Sequence, residues 1–219
     1  MVKLEIPYYQ ERQSIVDTCL TLSKSGFLAG LGGNVALRLS TNEFAVTPSA
    51  ADYYTMKAED ICLLELNSLK RIDNNGRRES VEAGLHAALL RGRSDLNASV
   101  HTHQPIASAV SLLHVSIPVD TNYQSLIGSE VRHIKYAPSG SKALVQSLKR
   151  SLHPKINSYL LPNHGLVCAA NTLQQAIENV AIIEKLAANF LITLIQKNQN
   201  PTMNQSLLSK IESHLKQAL

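Results

Sequence analysis

His101-Thr102-His103 carries two imidazoles two residues apart, and Asn163-His164-Gly165 supplies a third far downstream. In a β-strand alternate side chains share a face, so both members of a His-x-His can reach one ion, whereas in a helix they diverge. Ala98-Ser99-Val100 leads into the pair and Pro105 follows, the pattern of a strand end passing into the first turn of a helix. His164 sits at a turn between the apolar runs Tyr159-Leu160-Leu161 and Leu166-Val167-Cys168, which predicts a hairpin. Three imidazoles from a strand and a distant turn describe a metal site with an open coordination position, the catalytic form of a zinc site rather than the closed structural one. Cys168 stands four residues after His164, and we read it as a core cysteine rather than a further ligand.

Five blocks occur in order: Gly32-Gly33-Asn34, Thr47-Pro48-Ser49, Ser80-Val81-Glu82, His101-Thr102-His103 and Asn163-His164-Gly165. Together they resemble the class II aldolase/adducin family over about Gly26 to Phe190. The resemblance implies a divalent metal, usually zinc, on His101, His103 and His164, with another transition metal as the alternative. It places the acid/base of a retro-aldol cleavage on Glu82, acting on a small ketose or ketose phosphate through a metal-stabilised enediolate. Gly33, Asn34, Ser49 and Ser80 would cradle the anionic end. A layered mixed sheet and a homotetramer with active sites at subunit interfaces are also implied.

This chain departs from the family's phosphate pattern at two places. Ala50 and Val81 replace a glycine and a serine, so a close backbone approach and a hydroxyl donor are lost. The C-terminal tail also lacks the tyrosine that the family's aldolases carry there. Epimerases, dehydratases and keto-acid-phosphate decarboxylases of the same scaffold are the nearest alternatives, although epimerases tend to have aspartate where Glu82 stands. An adducin-like interaction module would not need the three histidines. A cupin would want a glutamate soon after the pair, and a metallo-β-lactamase site would want Asp and His where Gln104 and Pro105 stand.

The elements that must position these residues are legible in outline. Ile15, Val16, Cys19, Leu20 and Leu22 predict an amphipathic helix over Tyr9–Lys24. A glycine-rich turn, Gly30 to Asn34, feeds a strand at Val35–Leu39, and further strands are expected at Phe44–Thr47, Ile61–Leu66 and Leu69–Ile72. Ser80 is the expected N-cap of a helix to about Leu90, with Val81, Leu85 and Leu89 on its apolar stripe. Glu82 and His86 then lie one turn apart on one face. As a helix-dipole feature alone Glu82 would be an ordinary first-turn acid, and His86 reads as a core histidine rather than a support for the site. Downstream we expect a helix over Gln104–Leu113, a strand at Val131–Tyr136, a helix over Ser141–Leu152, a helix from Thr172 to about Gln196, a break at Pro201 and a last helix over Leu207–Leu219. The sum is an α/β fold with a largely antiparallel central sheet flanked by helices.

The 219 residues, 44% hydrophobic, suffice for one core, and we expect a single domain over residues 1–219. Glu5, Pro7, Glu11 and Arg12 interrupt any secretory signal pattern, and no apolar run is long enough to span a bilayer, which predicts a cytoplasmic protein without membrane contact. Three cysteines at unrelated spacings predict buried thiols rather than disulfides. The net charge of +4 is scattered, with short pairs at Arg77-Arg78, Arg91/Arg93 and Lys149-Arg150, which we read as solvated surface. Aromatic residues are 5% of the chain, too few to interleave with cations in a nucleic-acid groove, so the expected partner is a small sugar or sugar phosphate.

Overall fold

The helical spacing at the N-terminus folds as α1 (Tyr9–Lys24), whose buried stripe includes Ile15, Val16, Cys19 and Leu22. The helix closes at Gly26, where the Phe27 N–H returns to the Leu22 carbonyl. The computed structural model describes residues 6–28, 30, 32–197 and 204–219. Leu31 of the glycine-rich turn and the break at Pro201 lie outside them.

β1 (Asn34–Arg38), β2 (Glu43–Val46) and β3 (Cys62–Glu65) form an antiparallel ribbon, and α2 (Ala83–Gly92) leads into β4 (Ala98–Thr102). Then come α3 (Pro105–Ser111), β5 (Ile117–Pro118), α4 (Gln124–Ile127), β6 (Glu130–His133) and α5 (Lys142–Ser151). The hairpin β7 (Ser158–Leu161) and β8 (Gly165–Ala170) precedes α6 (Leu173–Gln196) and α7 (Gln205–Lys216). The sheet runs β3-β2-β1-β4-β8-β7-β6-β5, and among the described residues only β6 and β7 pair in parallel. The architecture is thus the expected α/β layered one with a mixed, largely antiparallel sheet.

Strand alternation divides the core between two faces. Val35, Ala45, Val100, Leu160 and Cys168 point toward α1, α3 and α6. Phe44, Val46, Tyr159, Val167 and Ala169 point toward α2 and α5. Each fully buried Val or Leu in these layers contributes roughly 1.5–3 kcal/mol. His101 pairs with Val167 in register and so belongs to the α2 face, whereas Cys168, opposite Val100, faces the other way. Cys168 is therefore a core thiol, and Cys19, Cys62 and Cys168 are all free and buried.

Four expectations are corrected. Leu69–Ile72 forms no strand among the described residues and meets the sheet only through the bridge Leu64↔Arg71. Leu69 takes φ 60°, and Arg71 is drawn into a loop network with Asp73, Asn75 and Glu79, so the segment belongs to a turn. Val81 is 60% exposed, off the apolar stripe, because α2 starts two residues after it. Ser80 is not the N-cap: Glu82 holds that position, and the Ser80 Oγ instead accepts from the Glu82 N–H. Arg93, expected at the surface, is buried and donates to the Ile156 carbonyl and to Asn157 Oδ1.

Candidate metal centre and active site

β4 is the central strand of the site, and a chain of polar contacts holds its exit. Thr102 lies between the two histidines on the opposite face, and its hydroxyl donates to Gln104 Oε1, whose Nε2 donates to the Val180 carbonyl of α6. The Glu184 carboxylate of α6 accepts the N–H groups of Ile106 and Ala107, which satisfies free donors at the start of α3. His101 is the penultimate residue of β4, and His103 lies just past its end, tied by its N–H to the Phe27 carbonyl.

His164 comes from the three-residue loop Pro162-Asn163-His164, in which Asn163 adopts φ 55°. Asparagine tolerates that left-handed conformation better than most residues. Gly165 lets the hairpin approach: a Cβ there would stand 2.3 Å from the Thr102 carbonyl oxygen and 3.0 Å from His103 Cδ2. Only a glycine allows β8 to bring His164 this close to β4.

The three rings converge through their Nε2 atoms. His101 Nε2 lies 2.9 Å from His103 Nε2 and 3.1 Å from His164 Nε2, and one ligand atom from each of the three falls in a common cluster. His101 Nδ1 is 2.8 Å from the Leu166 carbonyl, which can only accept, so Nδ1 carries the proton and Nε2 presents a lone pair. Burial pushes His101 down to about 3, aided by the neighbouring His164 and His103 against the pull of Glu82, so the ring is neutral at pH 7. Burial also lowers His103 and His164. Neutral imidazoles crowded nitrogen to nitrogen fit a cation: donors bound tetrahedrally at about 2.0–2.1 Å stand roughly 3.3 Å apart.

Glu82 completes the cluster. It is 5% exposed, with Oε2 3.3 Å from His101 Nε2 and Oε1 3.3 Å from His164 Nε2. Burial alone would raise its pKa, yet His101, Asn34, His164 and Ser139 lower it, and the net direction is down. Because the histidines are neutral, the decisive contacts are two donated hydrogen bonds, Asn34 Nδ2 to Oε2 and Ser139 Oγ to Oε1, each 2.9 Å. Glu82 is therefore an ionised acceptor at the N-terminus of α2, where the helix dipole also favours a negative charge. Its side chain faces the histidines and makes no capping bond.

The residues expected around the anion surround the same end of the sheet. Gly33 takes φ 86°, and a Cβ there would meet the His101 carbonyl oxygen at 2.8 Å, so only glycine serves. The bridge Pro48↔Glu79 and the Ser80 N–H to Thr47 carbonyl bond bring the Ser49 and Ser80 segments together, while Thr47 Oγ1 accepts from the Val35 N–H. Ser80 is buried, Ser49 is half-buried and Ala50 is exposed at φ 52°. The Asn34 side chain turns toward Glu82.

Two polar neighbours were not singled out in the sequence. Ser99 precedes His101 by two residues and shares its strand face, a signal that was available. Ser139 arrives from the turn before α5, and neither its type nor its spacing marks it. His86 is fully buried, as a core histidine should be, and its Nε2 lies 2.6 Å from Asn34 Oδ1.

A layered α/β fold that presents three convergent imidazoles and an ionised glutamate at the end of its central strand defines a metal-dependent enzyme class. Residues 13–191 match the family model described as Class II Aldolase and Adducin N-terminal domain, and the chain belongs to that family. It is 31% identical over 176 residues to the 5-deoxy-D-ribulose 1-phosphate aldolase of Bacillus thuringiensis serovar kurstaki, across 80% of this chain and 81% of that protein. With the L-fuculose phosphate aldolase of Escherichia coli K12 it shares 28% over 205 residues, 91% of each chain. A solved L-fuculose 1-phosphate aldolase superposes with a TM-score of 0.78 at 22% identity, covering 94% of this chain and 95% of that one. A sugar-phosphate aldolase from Thermotoga maritima gives 0.69 at 17% identity, covering 89% and 100%, and these two likenesses show the shared fold. The protein is an aldolase-type lyase of this family.

Proposed function

We propose that the protein is a zinc-dependent aldolase that cleaves a small ketose 1-phosphate between C3 and C4, giving dihydroxyacetone phosphate and an aldehyde. The observation that carries this reading is the ionised Glu82 carboxylate within 3.3 Å of two of three convergent imidazole nitrogens. A divalent ion held by His101, His103 and His164 would supply Lewis-acid polarisation of the substrate's adjacent carbonyl and hydroxyl oxygens. Zinc is favoured for an all-imidazole set. Net, the proton of the C4 hydroxyl ends on C3 as the bond between them breaks, and Glu82 delivers it there. In the synthetic direction the same carboxylate removes that proton. Asn34 and Ser139 keep one carboxylate orientation, which fixes where the proton lands.

Gly33, Asn34, Ser49 and Ser80 are the proposed cradle for the phosphate. Support comes from their convergence and from relatives named for ketose phosphates. The run Leu112 to Val115 exposes three large apolar side chains, in keeping with a homotetramer. Residues 1–219 are proposed as one domain, since one core cluster joins α1, α3 and α6 across the sheet. Three free, buried cysteines are in keeping with the cytoplasm, and no helix among the described residues is long and apolar enough to cross a membrane.

The test is elemental analysis of purified protein followed by a screen of ketose 1-phosphates, with products identified by mass spectrometry. We expect one equivalent of zinc per chain and C3–C4 cleavage that chelation abolishes and zinc restores. An isomeric product of unchanged mass, or carbon dioxide release from an acid, would replace the aldolase reaction by epimerisation or decarboxylation on the same residues.

A further inference from the structure

Three buried side chains form a line that ends on the carboxylate of Glu82, and two of them, His86 and Ser99, have no part in the reaction above. Ser99 Oγ lies 2.7 Å from His86 Nδ1, His86 Nε2 lies 2.6 Å from Asn34 Oδ1, and Asn34 Nδ2 lies 2.9 Å from Glu82 Oε2. We propose that His86 is a positioning residue for Glu82, acting through the Asn34 side-chain amide. This rests on the reading of Glu82 as the proton carrier.

The direction of every bond follows from the Glu82 end. A carboxylate only accepts, so Asn34 must turn its NH₂ toward it and its oxygen toward His86. That oxygen only accepts, so His86 carries its proton on Nε2. His86 Nδ1 is then a lone pair, and the Ser99 hydroxyl donates to it. Reversing the amide would set oxygen against oxygen at 2.9 Å from Glu82, so the carboxylate alone fixes the amide's orientation. His86 and Ser99 are fully exposed to neither solvent nor ligand; both have 0% accessible surface, so no water substitutes for a lost partner.

The placement also links the two halves of the site. His86 stands one turn after Glu82 on α2, and Ser99 stands two residues before His101 on β4. The line therefore clamps the start of the glutamate's helix to the strand that carries the histidines, and fixes which rotamer Glu82 presents to them. Asn34 keeps a second amide hydrogen, so support of Glu82 is compatible with a contact to the substrate's anionic end.

The experiment measures solvent deuterium incorporation into dihydroxyacetone phosphate by proton NMR, using the zinc-loaded full chain. That exchange reports proton removal at carbon without an aldehyde partner. His86→Leu should slow it about 10–100-fold, the usual range for loss of a supporting hydrogen bond, with zinc content unchanged and KM within about twofold by the same argument. His86→Gln, which restores an N–H donor toward Asn34, should recover most of the rate. Ser99→Ala should fall between wild type and His86→Leu. The Asn34 side-chain NH₂ signals, slow to exchange with solvent in wild type, should lose protection in His86→Leu and regain it in His86→Gln.

A wild-type rate in His86→Leu, equal slowing by Leu and Gln, or loss of zinc together with rate would each overturn the proposal. If zinc-loaded wild type exchanges no deuterium, the aldolase reading falls instead, and the amide signals decide the positioning alone. Unchanged Asn34 protection in His86→Leu would then refute it.

Discussion

The proposed reaction end and the proposed anion end of this site are built differently. Around Glu82, the contacts are directional: two donors, one of them the buried Asn34, hold the carboxylate, a carbonyl sets the His101 tautomer, and Gly165 admits the hairpin. Around the proposed cradle, Ala50 sits strained and exposed, and Val81 offers a methyl-bearing side chain to solvent. Reaction chemistry tolerates little displacement because proton transfer needs hydrogen-bond distances. An anion site made of backbone N–H groups and hydroxyls can lose a single donor and keep the others.

The largest effect should come at the reaction end. Glu82→Gln should lower turnover by about 10²–10⁴-fold while zinc content stays unchanged; a near-wild-type kcat would reduce Glu82 to a helix-terminal acid. Gly165→Ala should follow, since its Cβ must displace the Thr102 carbonyl or the His103 ring. We expect a loss of about 1–3 kcal/mol in stability and substoichiometric zinc, read by urea unfolding and elemental analysis. At the anion end the change should be a gain: Val81→Ser adds a hydroxyl that, paired with phosphate, contributes about 1.5–3 kcal/mol. A lower KM for a phosphorylated substrate would show it. Equal, negligible binding of inorganic phosphate to both proteins in calorimetry would instead move the substrate toward an unphosphorylated sugar or hydroxy acid.

Acid should expose the buried histidines. Burial lowers His86 from 6.5 to about 4, against the opposing pull of Glu82. Between those values the unfolded chain binds a proton that the folded one refuses, so stability falls as pH drops through this window. The slope approaches one proton, about 1.4 kcal/mol per pH unit, with His101 adding to it in the same direction. Unfolding of metal-free protein at pH 7 and pH 5 should show the loss, and His86→Leu should flatten it. The smallest effect belongs to Ala50→Gly, which relieves a left-handed alanine and should stabilise the protein by up to about 1 kcal/mol. No change would mean that the strain is already relaxed elsewhere.

Legibility in the sequence followed the range of the interactions. The histidine pair was readable because strand alternation is local, and His164 because an apolar–turn–apolar pattern announces a hairpin. α1 matched over its whole length. Leu69 to Ile72 resembles a short strand in sequence, yet ion pairs such as Arg71–Asp73 hold it in a turn. Val81 misled because the helix began later than its serine suggested. Glu82 drew its role from the family resemblance, since one acid at a helix start has an ordinary explanation.

Residue types and local periods determined the ligand chemistry, the helices and strands, and the family. Tertiary structure alone decided which groups face Glu82. Ser139 lies 57 residues away in sequence and His86 reaches the carboxylate only through Asn34, itself 48 residues from Glu82. It also decided that Cys168 faces away from the three histidines, through the register that sets it opposite Val100. Hydrogen bonds need their partners within about 3 Å, and which distant residues come that close depends on sheet order and register, which no local pattern encodes.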